Sequence, residues 1–227
     1  MCVIQLIESF NTLQTNEPCV FILRHAEKPI VNNMHADIAN SLTEEGVVSS
    51  KELGGRLKKI YPRVGIVRSS PIARCLETAN NIFSAYSHNS SIVADADLGG
   101  DGAYVSDNQL AAQHFLEDPS RTDIFIRMQT GETFAGMRGV KDGTKLLLTK
   151  IIYDLENLAT PGFYITHDCI LALFVGTILN QIVDEKNWFQ YLDGVCIKKI
   201  EGKVNLYWKE KYFDITEKVR LKAEFDG

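Results

Sequence analysis

Several absences narrow the reading before any motif is considered. There is no Cys-x-x-Cys pair: the five cysteines, Cys2, Cys19, Cys75, Cys169 and Cys196, are odd in number and scattered. That excludes a sequence-coded disulfide framework or zinc finger and favours reduced thiols. There is no basic excess, since 24 Lys and Arg stand against 29 Asp and Glu, a net charge of −5. Neither nucleic acid nor an anionic membrane is then an expected partner. No apolar run is long enough to span a bilayer, the longest being Cys169 to Leu179 behind His167 and Asp168. A secretory signal is not discernible at the N-terminus. With no repeat and no Pro/Gly/Ser linker, a single domain over residues 1–227 is expected, in a cytoplasmic setting. A chain this long, at 45% hydrophobic residues, can bury a full core without staples.

What is present alternates between strand and helix. Cys19 to Leu23 reads as a buried strand after an N-terminal helix. Ser41 and Glu44 have capping-box spacing before a helix with Leu53, Leu57 and Ile60 on one face. Val64 to Val67 is a second strand, and Ser70 with Pro71 suits the start of the helix that follows. Ser91 to Leu98 suggests a third strand. The stretch 99–130 is irregular apart from a helical piece near Asn108 to Glu117, and reads as an insert over a site. A helical pattern runs from Thr133, and Phe163 to Thr166 is a fourth strand. A buried helix from Asp168 to Leu179 and two late strands, Val195 to Ile200 and Val204 to Trp208, complete the chain. This alternation predicts an α/β fold: a three-layer α/β/α sandwich around a mostly parallel sheet.

In such sheets, sites form beyond the carboxyl ends of the strands. The first strand delivers Arg24 and His25 there, the second Arg68, Ser69 and Ser70, and the fourth Thr166, His167 and Asp168. Arg74 lies in the first turn of the next helix and can face the same edge. Arginines grip phosphoryl oxygens bidentately. A neutral histidine can attack phosphorus, and a carboxylic acid can protonate the leaving oxygen and then activate water. Side-chain cations make a metal or other cofactor unnecessary for this chemistry.

These residues carry a resemblance. Leu23-Arg24-His25-Ala26-Glu27-Lys28-Pro29 is similar to the Arg-His-Gly signature of the histidine phosphatase superfamily, with Ala26 where glycine is usual. Arg68 to Ala79 resembles the family's second block and Tyr164 to Asp168 its third. The resemblance spans about Cys19 to Leu179. It implies a phosphoglycerate-mutase-like fold and a metal-independent phosphomonoesterase acting on a phosphorylated substrate. By the same resemblance His25 is the phosphorylated nucleophile, and Arg24, Arg74 and His167 bind phosphate. The mutase-like branch carries a glutamate after the third strand, where this chain reads Leu98-Gly99-Gly100-Asp101. The acid-phosphatase branch carries an aspartate directly after the second histidine, the position of Asp168, and an arginine where this chain has Lys28. Glu27 and Asp101 are rival acids.

Arg68 is either an ion-pair partner or a residue behind the phosphate. Glu132 suits a helix start, and Trp188 and Phe189 suit packing. His35, His88 and His114 share no motif. Other functions are a mutase-like phosphotransferase, a phospho-ligand-binding module without turnover, and a metal-dependent phosphohydrolase using His167 and Asp168 as a ligand pair. That last pair normally lies in an all-helical fold, unlike the strand end here.

Overall fold

The computed structural model describes residues 18–30, 40–86, 91–117 and 122–220, so the expected N-terminal helix, His35 and His88 lie outside the described residues. In chain order the elements are β1 (Cys19–Arg24), α1 (Glu44–Ile60), β2 (Val67–Ser69), α2 (Ala73–Phe83) and β3 (Ile92–Ala94). A short 3₁₀ turn (Ala96–Leu98) leads to α3 (Asn108–Glu117), α4 (Asp123–Gln129) and α5 (Val140–Asn157). Then come β4 (Gly162–Thr166), α6 (Asp168–Leu179), β5 (Gly194–Ile200), β6 (Lys203–Trp208), β7 (Lys211–Asp214) and α7 (Thr216–Arg220).

The strands form one seven-stranded sheet in the order β3-β2-β4-β1-β5-β6-β7. The first four run parallel, and β5, β6 and β7 continue antiparallel beyond β1. The alternation of side chains along a strand builds the three layers. On β1, Val20 and Ile22 enter one core with Leu147 and Ile151 of α5 and Leu171 of α6. Cys19, Phe21 and Leu23 enter the other, with Leu53 and Leu57 of α1 and Ala79 and Ile82 of α2. Phe21 stacks on Phe163 of β4 at 5.0 Å; truncating such a buried aromatic to alanine costs about 3–5 kcal/mol. Both cores are therefore needed for β1 to form, and its near-continuous apolar run reflects burial on two faces.

Helix α6 is apolar all round, as a helix in contact on most sides must be. It stops at Asn180, whose left-handed φ of 52° lets its N–H reach back to Gly176 and Thr177. Close approach of α1 and α2 depends on Gly54: a Cβ there would sit 2.1 Å from the Ile82 carbonyl oxygen. Among the described residues, no helix is long and apolar enough to cross a membrane.

Several boundaries differ from the sequence reading. Thr43, not Ser41, caps α1, accepting the Gly46 N–H at 3.0 Å. Helix α2 starts at Ala73, two residues beyond Pro71, with Ile72 at the cap position; Ser70 Oγ accepts the Ile72 N–H at 3.3 Å just ahead of it and also bonds to His167. Helix α5 starts at Val140 and not Thr133; Met137 in the intervening stretch forms a bridge with Val105, and just ahead of it Glu132 pairs with Arg127. Glu132 thus holds Arg127 and does not start a helix. The third strand is only three residues long, since Asp95 caps the 3₁₀ turn through the Asp97 N–H. Helix α4 and strand β7, both short, have no counterpart in the sequence reading.

Candidate active site

Between β1 and β4 the chain direction changes. From β1 it leaves toward the α1 side of the sheet, and from β4 toward the α6 side, so a crevice opens at their carboxyl ends. Arg24 lies in register with Thr166, and the His25 N–H donates to the Thr166 carbonyl at 2.9 Å. The Ser70 N–H donates to Ile165 at 2.9 Å, closing the third side. These backbone bonds bring β1, β2 and β4 to a common end, and with them residues more than a hundred apart in sequence.

His25 is 1% exposed. Its Nδ1 lies 2.7 Å from the Ala26 carbonyl, which can only accept, so Nδ1 carries the proton. Nε2 is left with its lone pair, and Arg74 Nε donates to it at 3.2 Å. Burial, then the Arg74 and Arg24 charges, lower the His25 pKa to about 3; the Ala26 bond and Asp168 oppose this. His25 is therefore neutral at physiological pH.

His167 faces it, ring to ring at 5.4 Å. Arg74 Nη2 donates to His167 Nδ1 at 3.3 Å, so Nε2 carries the proton and donates to Ser70 Oγ at 3.0 Å. Burial, then Arg74, His25, Arg24 and Lys28, push its pKa well below the usual histidine value. Cys75, fully buried beside it with its thiol pKa raised to about 12 by burial, is an unreactive neighbour. Gly99 completes this wall: a Cβ would fall 2.5 Å from His167 Nε2 and 2.6 Å from Ser70 Oγ. No side chain fits there while that hydrogen bond stands.

Arg24 donates through Nη1 to the Phe189 carbonyl at 2.7 Å and through Nη2 to Asp168 Oδ2 at 2.8 Å. Its guanidinium lies over the Tyr191 ring at 4.2 Å. Arg24 Nε is buried with no partner among the described residues, a donor that an anion entering the crevice could satisfy.

Asp168 opens α6, and its Oδ1 accepts the Cys169 N–H at 2.9 Å; the position before the helix is taken by His167. Burial raises its pKa, but Arg24, the Trp188 indole, His25 and the Cys169 N–H outweigh this and hold the carboxyl below its ordinary value. Its side chain remains 26% exposed, so it can exchange protons with solvent.

The structure thus brings Arg24, His25, Arg74, His167 and Asp168 into one cluster. Lys28, half-buried on the loop after β1, acts on it from further away. Glu27 and Asp101 are exposed, and among the described contacts neither bonds to the cluster. Arg68 turns away from the cluster toward α5 and grips Asp154 with two bonds of 2.8 and 3.1 Å. Of its two sequence readings, the ion pair is the one found. Tyr191, Ser70 and the Phe189 carbonyl were not singled out for the site. Ser70 sits within a quoted motif and could have been; the loop 180–193 carries no spacing signal. Phe189 itself is core, and Trp188 lies partly buried beside Asp168. His114 packs edge-on to Phe134, away from the cluster, with Nε2 buried and unpartnered. Among the described residues, no group of three or more His, Cys, Asp or Glu is arranged to hold a metal ion.

A buried neutral histidine stands beside arginines here, and the class of protein is that of a phosphatase. The profile of the histidine phosphatase superfamily (branch 1) matches residues 20–136, and the chain belongs to that superfamily. The match stops before His167 and Asp168. No curated protein matches the chain. Among solved structures, phosphoserine phosphatase from Entamoeba histolytica in complex with 3-phosphoglyceric acid is similar with TM-score 0.56 and 15% identity, covering 86% of this chain and 96% of that one. The Bacillus stearothermophilus protein YhfR gives TM-score 0.58 and 17% identity, covering 87% and 99%. A mycobacterial glucosyl-3-phosphoglycerate phosphatase with inorganic phosphate gives 0.58 and 13%, covering 85% and 97%. The fold is accordingly phosphoglycerate-mutase-like.

Proposed function

We propose that this chain is a metal-independent phosphomonoesterase that works through a phosphohistidine on His25. The observation that carries the reading is the state of His25: buried, neutral, with Nδ1–H tied to Ala26 and the Nε2 lone pair aimed at Arg74. Arg24, Arg74 and His167 surround the position where a phosphoryl group would meet that lone pair, with Lys28 adding charge from the rim. The 99–130 segment, whose Gly99 abuts His167, would shape the leaving-group side.

In the first step His25 Nε2 attacks phosphorus and the ester P–O bond breaks, while the Asp168 carboxyl passes its proton to the departing oxygen. In the second, Asp168 carboxylate takes a proton from water as the water oxygen attacks phosphorus. The P–N bond breaks, inorganic phosphate leaves and His25 is neutral again. Paired with Arg24, Asp168 is ionised before substrate arrives. A phosphate dianion would draw on Arg24 and place negative charge beside the carboxylate, and both effects favour its protonation.

Rapid quench with a labelled phosphomonoester tests the nucleophile: an acid-labile, base-stable adduct is expected, absent in His25→Ala. Label on serine, cysteine or aspartate would overturn the mechanism. Pre-steady-state phosphorylation rates test the acid. Asp168→Asn should lose about 10²–10⁴-fold with an alkyl phosphate and much less with a nitrophenyl ester, whose phenolate needs no proton. Equal losses, or a selective loss in Glu27→Gln or Asp101→Asn, would move the role elsewhere.

A further inference from the structure

The segment joining α6 to β5 touches the catalytic cluster more often than its sequence suggests. Phe189 is anchored in the α5/α6 core, its ring stacked on Trp208 at 5.6 Å. Three residues later, Leu192 is anchored in the α1/α2 core on the other side of the sheet. The chain therefore crosses over the carboxyl end of β1, turning at Leu192 with a left-handed φ of 58°. Along this crossing the Phe189 carbonyl accepts from Arg24 Nη1, the Asp193 carbonyl accepts the Arg24 N–H at 2.8 Å, and the Leu192 N–H reaches the His25 carbonyl at 3.4 Å. Trp188 stands beside Asp168. Tyr191, held between the two anchors, has the Arg24 guanidinium carbon over its ring, 4.2 Å from the centroid, and lies 5.8 Å from the His25 ring.

We propose that Tyr191 is a positioning residue that fixes the plane of the Arg24 guanidinium, so that one arginine can serve both Asp168 and the incoming phosphoryl group. A guanidinium held only by Phe189 and Asp168 could still rotate about the axis through its two terminal nitrogens. An aromatic face beneath it removes that freedom and adds cation–π attraction. The buried Arg24 Nε–H then points one way rather than several, and the Nη2 contact to Asp168 keeps its geometry. The ring is better suited than an aliphatic side chain because it attracts the cation without neutralising it. A carboxylate in the same place would hold Arg24 but cancel the charge that phosphate needs.

This inference rests on the phosphohistidine reading, and the test separates the two. Tyr191→Phe, Tyr191→Trp and Tyr191→Leu are compared with the unaltered protein for thermal stability, phosphoenzyme formation, kcat/KM against pH, and vanadate affinity. The aromatic variants should stay within about 3-fold in kcat/KM. Tyr191→Leu should lose on the order of 10-fold in both kcat/KM and vanadate affinity, matching the loss of a cation–π contact. Its Tm should be close to that of Tyr191→Phe. With Arg24 loosened from Asp168, the pH above which kcat/KM falls should move upward in Tyr191→Leu alone. If Tyr191→Leu matches Tyr191→Phe in affinity and pH profile, the positioning role is overturned. The same holds if aromatic and aliphatic variants fall together, which would show a requirement for the hydroxyl. If the unaltered protein forms no phosphohistidine while vanadate affinity follows the aromatic series, the positioning role stands and the covalent mechanism fails.

Discussion

Two arginine clusters lie at different parts of the same sheet, one at the carboxyl ends of β1 and β4 and one between β2 and α5, and they are built to different charge balances. In the second, Arg68 and Lys150 meet Asp95, Asp97 and Asp154. Tyr164 adds its hydroxyl to Asp154 at 2.5 Å. Two cations face three carboxylates, and Arg68 spends its fork on Asp154. In the other, Arg24 pairs with Asp168, Arg74 bonds to His25, and Lys28 lies nearby. Here the arginines donate to neutral histidines and a backbone carbonyl, and one buried N–H has no partner among the described residues. Arg68 is satisfied by the protein and serves stability. In the Arg24 and Arg74 cluster a buried donor is left that an anion could satisfy, and burial first, then the arginine charges, lower the pKa values of both histidines.

Removing the nucleophile should break this contrast most completely. His25→Asn is expected to lower kcat/KM for a phosphomonoester by about 10³-fold or more while leaving the fold intact, as steady-state assay and circular dichroism would show. The other cluster should respond the opposite way. Arg68→Met leaves Asp154 buried without its counter-charge, and about 3–5 kcal/mol of unfolding free energy should be lost. Urea denaturation measures this, and kcat/KM of the folded fraction should change little. Arg68→Met combined with Asp154→Leu should recover most of the stability; a double variant as unstable as the single would show that charge balance is not what this cluster supplies.

Arg74→Lys keeps the charge but replaces two separate donor nitrogens, Nε to His25 and Nη2 to His167, with a single ammonium lacking the planar fork. A loss on the order of 10² in kcat/KM is expected, the usual cost of one misplaced transition-state donor. Unchanged efficiency would mean that charge alone, without the guanidinium fork, is sufficient.

The smallest effect is a pH dependence. His25 has a folded pKa of about 3, below the ordinary histidine value of 6.5, and His167 shifts in the same direction. Below pH 6.5 the unfolded chain takes up protons that these buried rings refuse. Their contribution is complete above 6.5 and is lost as pH falls toward 3. The Asp168 shift acts only below its ordinary value of 3.8. Between pH 6.5 and 4, Tm should therefore fall less steeply in His25→Asn than in the unaltered protein, by up to one proton in slope. Parallel curves would show that His25 titrates normally.

How much of this was legible in the chain depends on whether the signal is local. The strands were visible because β1 and β4 are apolar on both faces, and α3 and α6 because their periodicity and composition are local properties. Arg24, His25, Arg74, His167 and Asp168 could be grouped because each falls at, or one turn beyond, a strand end, and strand ends in a parallel sheet share an edge. Boundaries that depend on tertiary partners were misplaced: Thr43 caps α1 because Glu27 accepts its N–H, and α5 starts late because residues ahead of it pair with Val105 and Arg127.

By itself, then, the sequence determined the layered fold, the edge that carries the site and the residue types gathered there, since hydrophobic alternation and strand-end position are written along the chain. Only the tertiary structure decided which arginine faces histidine and which faces aspartate, which nitrogen of each histidine bears the proton, and that Tyr191 lies under Arg24. Apart from the His25–Ala26 bond between neighbours, those outcomes turn on hydrogen bonds and ring contacts between residues 49 to 167 positions apart, and burial makes each geometry selective because an unpartnered polar group is costly there.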